Sequence, residues 1–258
     1  MYPRRLSVLS ACLLLAAAFL LQSCKKAEEA PAGPVRDKVV VGTEAAYPPM
    51  EFVDDAGEIT GFDIELMRAI AAEADFDVEF RNLSWDALFG TLMNGDIDAI
   101  VSSVTITEER KKTMAFTDPY INSGQRLIVH KDRGGKDNRL ETMDGQTIGV
   151  QIGTTGATLL EDLFPNVKVR VYENVILGFE DLSQGNLDGF FVDAPVAAYY
   201  RDRGRFENLL FVEQEYSSEQ YGIVVGQENA ELLARINDGL AKAKEKGIVK
   251  QLEDKWLR

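Results

Sequence analysis

Histidine and cysteine are nearly missing from this chain of 258 residues. His130 is the one histidine, and the two cysteines, Cys12 and Cys24, stand near the amino terminus. Transition-metal sites are built mainly from those two side chains, so a metal centre is not expected. Nucleophilic centres of the Ser-His-Asp or Cys-His kind need an imidazole beside a partner, and none can be assembled here. No Gly-x-Gly-x-x-Gly opens a helix and no Gly-Lys-Ser/Thr closes a phosphate loop, so no cofactor is expected. Positive charge is also short. Lys and Arg number 28 against 42 Asp and Glu, a net charge of −14. Such a surface repels nucleic acid and anionic lipid and mildly favours cationic ligands, although acidity also serves solubility alone. The apolar run ACLLLAAAFLL is shorter than the roughly 20 residues that span a bilayer.

That run has its own reading. Arg4 and Arg5 precede it without any acid, and Leu21-Gln22-Ser23-Cys24 follows. This is the plan of an export signal over residues 1–23. Its end is similar to the lipobox of bacterial lipoproteins, in which the cysteine is acylated and becomes the first residue. Gln22 is a less usual occupant, and an ordinary signal peptide with a stray cysteine is the plain alternative. With Cys12 removed, Cys24 has no partner for a disulfide. A diacylglycerol on Cys24 supplies two acyl chains, enough for stable membrane attachment. Residues 24–37, rich in charge, Ala, Pro and Gly, read as a flexible tether. Without Arg4 and Arg5 the mature chain has 26 basic residues against its 42 acids.

From Lys38 onward strands and helices alternate. KVVVG is a strand, GFDIELMRAIAAEA a helix, Phe76–Phe80 a strand, Trp85–Met93 a helix and Ile97–Val101 a buried strand. The order predicts an α/β fold with a mostly parallel sheet. It then returns, with strands at Gln146–Gln151, Val167–Tyr172 and Leu187–Val192 and helices at Ala157–Leu163, Val175–Ser183 and Ala194–Arg201. The two halves echo each other in detail. Leu92, Gly95, Ile97 and Asp98 recur as Leu182, Gly185, Leu187 and Asp188, ninety residues later. Helix–Gly–strand joints resemble one another in many folds, but the four-point match predicts two similar lobes. Both glycines fit the position after a helix, where φ is positive. The same offset pairs Ser103 with Asp193, each just past the carboxyl end of its half's third strand. Ligands of open α/β sheets bind at that edge, so a hydroxyl and a carboxylate are expected to face one crevice. INSGQRLIVH and EQYGIVVG read as strands entering and leaving the second half. Leu232, Leu233, Ile236 and Leu240 form a helical stripe that would return to the first lobe.

The two edges carry the chemistry. SSVTITEER places Ser102, Ser103, Thr105 and Thr107 ahead of Arg110, with Thr107 as an N-cap and Arg110 in the first turn. A guanidinium there matches a carboxylate with two parallel donors. Its plain alternative is a surface arginine pairing with glutamate. Gly153, Thr154 and Thr155 lie at a strand-to-helix turn whose free N–H groups attract anions, although threonine is also a routine cap. Asp193 in FFVDAPVA either accepts an ammonium or caps the helix that Pro195 begins, and both can hold. Glu44 and Tyr47 follow the first strand in a loop stiffened by Pro48 and Pro49. Trp85 is either core packing or a wall against a cationic side chain.

Taken in order, GTEAAYPPMEF, GFDIEL, SSVTITEERKKTMAFTDPY, GTT and VDAPVA resemble the polar amino acid-binding proteins of ABC importers, over nearly all of residues 38–258. The resemblance implies a two-lobed periplasmic-binding-protein-like (class II) fold with a two-segment hinge. Lobe 1 is then 38–125 with 222–258, and lobe 2 is 126–221. It also implies a receptor rather than an enzyme, monomeric, held at the periplasm or the outer face of the cell membrane. It would close on a free amino acid and deliver it to a membrane permease and its ATPase. In that likeness Arg110, with Ser103, Thr105 and Thr155, holds the α-carboxylate and Asp193 the α-ammonium. Glu44, Tyr47, Trp85 and Gln151 line the side-chain pocket, and Met50 stands where the family more often has Phe. Glu44 beside two aromatics on an acidic protein points to a cationic amino acid (arginine, lysine or histidine). Receptors for uncharged polar ligands such as glutamine also carry acid there. Cyclohexadienyl dehydratase, an enzyme on a resembling fold, is the rival from another class, and a sensory role is a third reading.

Overall fold

The computed structural model describes residues 38–133, 137–204 and 206–257. The export signal, the tether and Cys24 lie outside the described residues. β1 (Lys38–Thr43) drives Val39, Val40 and Val41 into the core. A small meander follows, β2 (Ala46–Tyr47), β3 (Glu51–Val53) and β4 (Ile59–Thr60). Next come α1 (Phe62–Ala74), β5 (Asp77–Asn82), α2 (Trp85–Met93), β6 (Ala99–Ile100) and β7 (Met114–Phe116). The chain then crosses through β8 (Ile121–Ser123) into β9 (Gln125–His130). The second half holds β10 (Thr147–Gln151), α3 (Thr155–Leu163), β11 (Lys168–Tyr172), α4 (Val175–Ser183), β12 (Gly189–Asp193), α5 (Ala194–Asp202) and β13 (Leu209–Glu215). It crosses back through β14 (Glu219–Tyr221) into β15 (Val224–Gly226), and α6 (Ala230–Glu245) and α7 (Ile248–Trp256) finish it.

Two five-stranded sheets result, β5-β1-β6-β15-β7 and β11-β10-β12-β9-β13. In each, the first three strands are parallel and the fourth is antiparallel. The antiparallel strand is in each case the one reached from a crossing segment. The crossing strands β8 and β14 pair with each other as a separate ribbon, which makes the two-segment hinge between the lobes.

The ninety-residue echo has a physical basis. Gly95 and Gly185 take φ of 75° and 79°, where a Cβ is strained. The N–H of Gly95 donates to the carbonyl of Leu92 and that of Asp96 to Thr91; Gly185 and Asn186 repeat this with Leu182 and Asp181. Both helices therefore end in the same left-handed stop. Asp98 then receives the Val40 N–H on its carboxylate at 2.8 Å and donates its own N–H to the Val40 carbonyl. Asp188 does the same with Thr147. Each aspartate thus starts the third strand in register beside the first.

Two expectations shift. The apolar run Ile97–Val101 is buried, but only Ala99–Ile100 is laddered, because Asp98 spends its polar groups on Val40. The turn after Thr107 is a single 3₁₀ turn, Arg110–Lys112, cut short because Met114 must enter β7. Its N-cap is Glu109 rather than Thr107, although the Thr107 hydroxyl accepts the Arg110 N–H at 3.1 Å. At the far end, Leu232, Ile236 and Leu240 of α6 are buried in one cluster with Met67 and Ile70 of α1, so the C-terminal helices cover the first sheet; Leu233 is half-buried.

Candidate functional site

The carboxyl ends of β1 and β6 face those of β10 and β12 across a narrow cavity. Every ligand-site residue expected from the sequence lines it. From the first lobe come Glu44, Tyr47, Trp85, Ser102, Ser103, Thr105 and Arg110; from the second come Gln151, Thr154, Thr155 and Asp193. Glu51 joins them unforeseen.

Arg110 reaches back over the strand end. One terminal nitrogen donates to the Thr105 carbonyl at 2.9 Å and the other to the Gly153 carbonyl, across the cleft, at 3.3 Å. Its charge lies 5.5 Å from the Trp85 ring centroid and 5.6 Å from that of Phe89, within cation–π range. Among the described residues it has no ion-pair partner. Burial pulls the guanidinium below its ordinary range, opposed by the charges of Glu219 and Asp193. Trp85 fulfils both readings open in the sequence. It starts α2, packs edge-on to Phe89 and is only 7% exposed, yet one side of it walls the cavity.

Asp193 occupies the N-cap position of α5, with Pro195 in the first turn, but its side chain makes no capping bond. The carboxylate instead turns into the cavity and accepts from the Gln125 amide and the Tyr221 hydroxyl, with the Tyr47 hydroxyl also in contact. Burial, helped by the nearby charge of Glu219, pushes its pKa up to about 6 against those bonds. Thr154 is the side-chain cap of α3, accepting the Ala157 N–H at 3.3 Å, so its ordinary role also holds.

Glu44 is 6% exposed, and among the described residues no ion pair to it is seen. Its carboxylate accepts from the Gln151 amide, in the other lobe, at 2.7 Å. Burial raises its pKa to about 7, with that bond opposing and Asp86 assisting. Glu51 accepts from the Ser102 hydroxyl at 2.9 Å and the Ser103 hydroxyl at 3.3 Å. Burial, and then the neighbouring charge of Asp63, raise its pKa well above the ordinary carboxylate value, which favours the protonated form. Asp63 accepts the Ser103 N–H at 2.7 Å and the Tyr120 hydroxyl at 2.8 Å. These bonds hold Ser103 in a left-handed conformation, φ 50°. With their hydrogens given to Glu51, Ser102 and Ser103 offer the cavity oxygen lone pairs.

Sequence reasoning missed Glu51, Gln125, Glu219 and Tyr221. Glu51 sits between Met50 and Phe52 on a three-residue strand, too short for alternation to say which way it points. Glu219 and Tyr221 lie on the crossing strand β14, whose partner strand is about a hundred positions away, and Gln125 opens β9, 68 positions before Asp193.

The family model of bacterial extracellular solute-binding proteins, family 3, matches residues 39–258. A probable histidine-binding protein of Neisseria gonorrhoeae is 34% identical over 254 residues, covering 96% of this chain and 94% of its own. The solved structure of an ancestral arginine-binding protein bound to arginine superposes with a TM-score of 0.83 at 36% identity, covering 87% of this chain and 100% of that one. An ancestral arginine-binding protein bound to glutamine matches with a TM-score of 0.81 at 37% identity, over 86% and 99% of the two chains. All three are named for binding rather than for turnover.

Proposed function

The chain belongs to the bacterial extracellular solute-binding proteins of family 3, and from that premise we propose that it captures a free cationic amino acid between its lobes for an ABC importer. One observation carries the reading. Burial favours the neutral form of Glu51, and the other charged groups lining the cavity are Glu44 and Asp193 against Arg110. The complement is a ligand with two positive groups and one negative, as in L-arginine or L-lysine. Arg110 and the N–H groups at the start of α3 receive the α-carboxylate, Asp193 the α-ammonium, and Glu44 the side-chain cation beside Trp85. Arg110 and Asp193 stand on opposite lobes, so a ligand bridging them favours closure over the open form. The hinge ribbon β8–β14 is where the backbone turns to allow it, with lobe 1 formed by 38–125 and 222–258 and lobe 2 by 126–221.

A thermal-shift panel of the twenty amino acids tests the substrate class. Stabilisation by L-arginine, L-lysine or L-histidine is expected; stabilisation by glutamine or glutamate alone would overturn it. Glutamine is the second reading, favoured by Gln151 and by a Glu44 that is half-protonated near pH 7 and able to donate to an amide.

Glu44 also sets a pH dependence. Its pKa of about 7 must fall when a cation arrives, so binding releases a proton below pH 7 and affinity declines as pH drops. Asp193 adds its own decline below about pH 6. Glu44→Gln is expected to weaken L-arginine about tenfold at pH 8, the scale of one exposed-to-buried charge pair, and to flatten the affinity between pH 8 and 6.5. Calorimetry across that range reads both; a slope unchanged by the substitution would remove Glu44 from the side-chain pocket.

The amino-terminal segment completes the proposal. Cys24, carrying the lipid as the first residue of the mature chain, tethers the receptor to the membrane that carries the permease. Mass spectrometry of the mature protein should find a diacylglyceryl group on residue 24 that Cys24→Ser abolishes. A mature chain with an unmodified Cys24 would rule the anchor out.

A further inference from the structure

Two cavities meet at the cleft, and the wall between them is made of hydroxyls. Thr105 of the first lobe and Thr155 of the second line both the inner cavity and a wide outer groove. Their hydroxyl oxygens are 3.5 Å apart. Glu219, on β14, lines the outer groove only. One of its carboxylate oxygens accepts from Thr105 at 2.9 Å and from Thr155 at 2.9 Å. The other accepts from Ser217 at 2.7 Å, and Ser217 in turn accepts the N–H of Gln125 at the start of β9.

We propose that Glu219 is a closure latch and a positioning residue for the ligand site, joining the two lobes from outside the space that the ligand fills. This rests on the binding reading above and extends it to how long the ligand is held. Glu219 stands on the hinge strand β14, tied towards the first lobe by the Thr105–Tyr221 bridge and the Ile106 N–H to Gln220 carbonyl bond at 2.8 Å, and towards the second by Ser217 and Gln125. Thr105 leaves with the first lobe and Thr155, the first residue of α3, with the second. Parting the lobes therefore breaks one of the two bonds that Glu219 accepts from them, and a bond with a charged acceptor is stronger than a neutral pair. The contacts of Gln151 with Glu44, Arg110 with Gly153 and Tyr47 with Asp193 also cross the cleft, but they use groups that face the ligand. Glu219 does not compete with a ligand for space, so it strengthens closure with and without one. It also takes the hydroxyl hydrogens of both threonines, which leaves the ligand carboxylate to Arg110 and the backbone N–H groups. Its negative charge behind Arg110 offsets the burial of that guanidinium.

The test is stopped-flow fluorescence of the full mature chain with L-arginine as probe. Glu219→Gln is expected to raise the dissociation rate about tenfold, the scale of one charge-assisted hydrogen bond, and to leave the association rate within twofold. Thr155→Val should cost nothing further once Glu219 is Gln. An unchanged dissociation rate, a loss carried by association, or additive effects of the two substitutions would overturn the latch. If Glu219→Gln lowers the ligand-free melting temperature by more than a few degrees, Glu219→Asp, too short to reach both threonines, is read in its place. If the wild-type chain does not bind L-arginine, the cationic reading above fails by itself. The latch is then read without ligand, from spin labels at the exposed positions Glu108 and Asp162 on either side of the groove, with Cys24 replaced by serine. The short-distance population should fall in Glu219→Gln; equal populations would overturn the proposal.

Discussion

Alanine at position 110 is expected to weaken L-arginine binding by about 2–5 kcal/mol, thirtyfold to several thousandfold, because it leaves a desolvated carboxylate without its partner. The guanidinium has two duties that alanine cannot share. It faces the cavity from above Trp85 and Phe89, and it donates across the cleft to the Gly153 carbonyl. Losing the first weakens the bound state, and losing the second weakens closure. Arg110→Lys should fall between, since it keeps a charge but not the planar fork that matches a carboxylate. Little folding stability should be lost, because burial already disfavours this cation. Isothermal calorimetry on the three proteins decides. Wild-type affinity in the alanine variant would remove Arg110 from the site.

Asparagine at position 193 is expected to cost a similar 2–5 kcal/mol of binding, for the opposite charge. Its shape hardly changes, and its carbonyl oxygen still accepts from one of the donors around it. What disappears is the negative charge facing the α-ammonium. The ligand-free protein should respond the other way. Asp193 is buried, its pKa is raised to about 6, and at pH 8 it is held ionised against that preference. A raised carboxylate pKa means that folding favours the protonated form, so stability is highest below the unfolded value of 3.8 and is lost as pH rises through about 6. A neutral amide avoids the loss. Asp193→Asn should therefore melt at or above the wild-type temperature at pH 8 without ligand, while calorimetry shows the affinity gone. Retained affinity would break the assignment, and a large drop in melting temperature would make Asp193 a structural group instead. The contrast is what a binding site implies, with stability given up where charge is kept for a ligand.

Particular residues show how far the sequence reached. The helix Trp85–Met93 has the predicted bounds, because its apolar spacing and the Ser84 and Gly95 boundaries agree. Gly95 and Gly185 could be placed after helices from their type alone, since few other residues accept that conformation. Asp98 and Asp188 were seen to recur, but their common task, bonding both polar groups of one residue in the first strand, was not legible. Arg110 was singled out for its neighbours in sequence, whereas its carbonyl partner in the other lobe is 43 positions away. Glu51 was not singled out in the sequence and is a buried carboxyl group at the cavity, its pKa raised by that burial.

What the sequence determined by itself is the order of elements, the echo between halves and the kinds of side chain at two strand ends. Those follow from periodicity, from the backbone demands of glycine and from the few groups able to pair with a zwitterion. Only the tertiary structure decided which of those groups share a cavity, that Glu44 is buried there against Gln151, and that Glu219 joins Thr105 to Thr155. Those facts depend on which way side chains turn once two distant stretches meet, and a local pattern carries no record of a partner a hundred residues away.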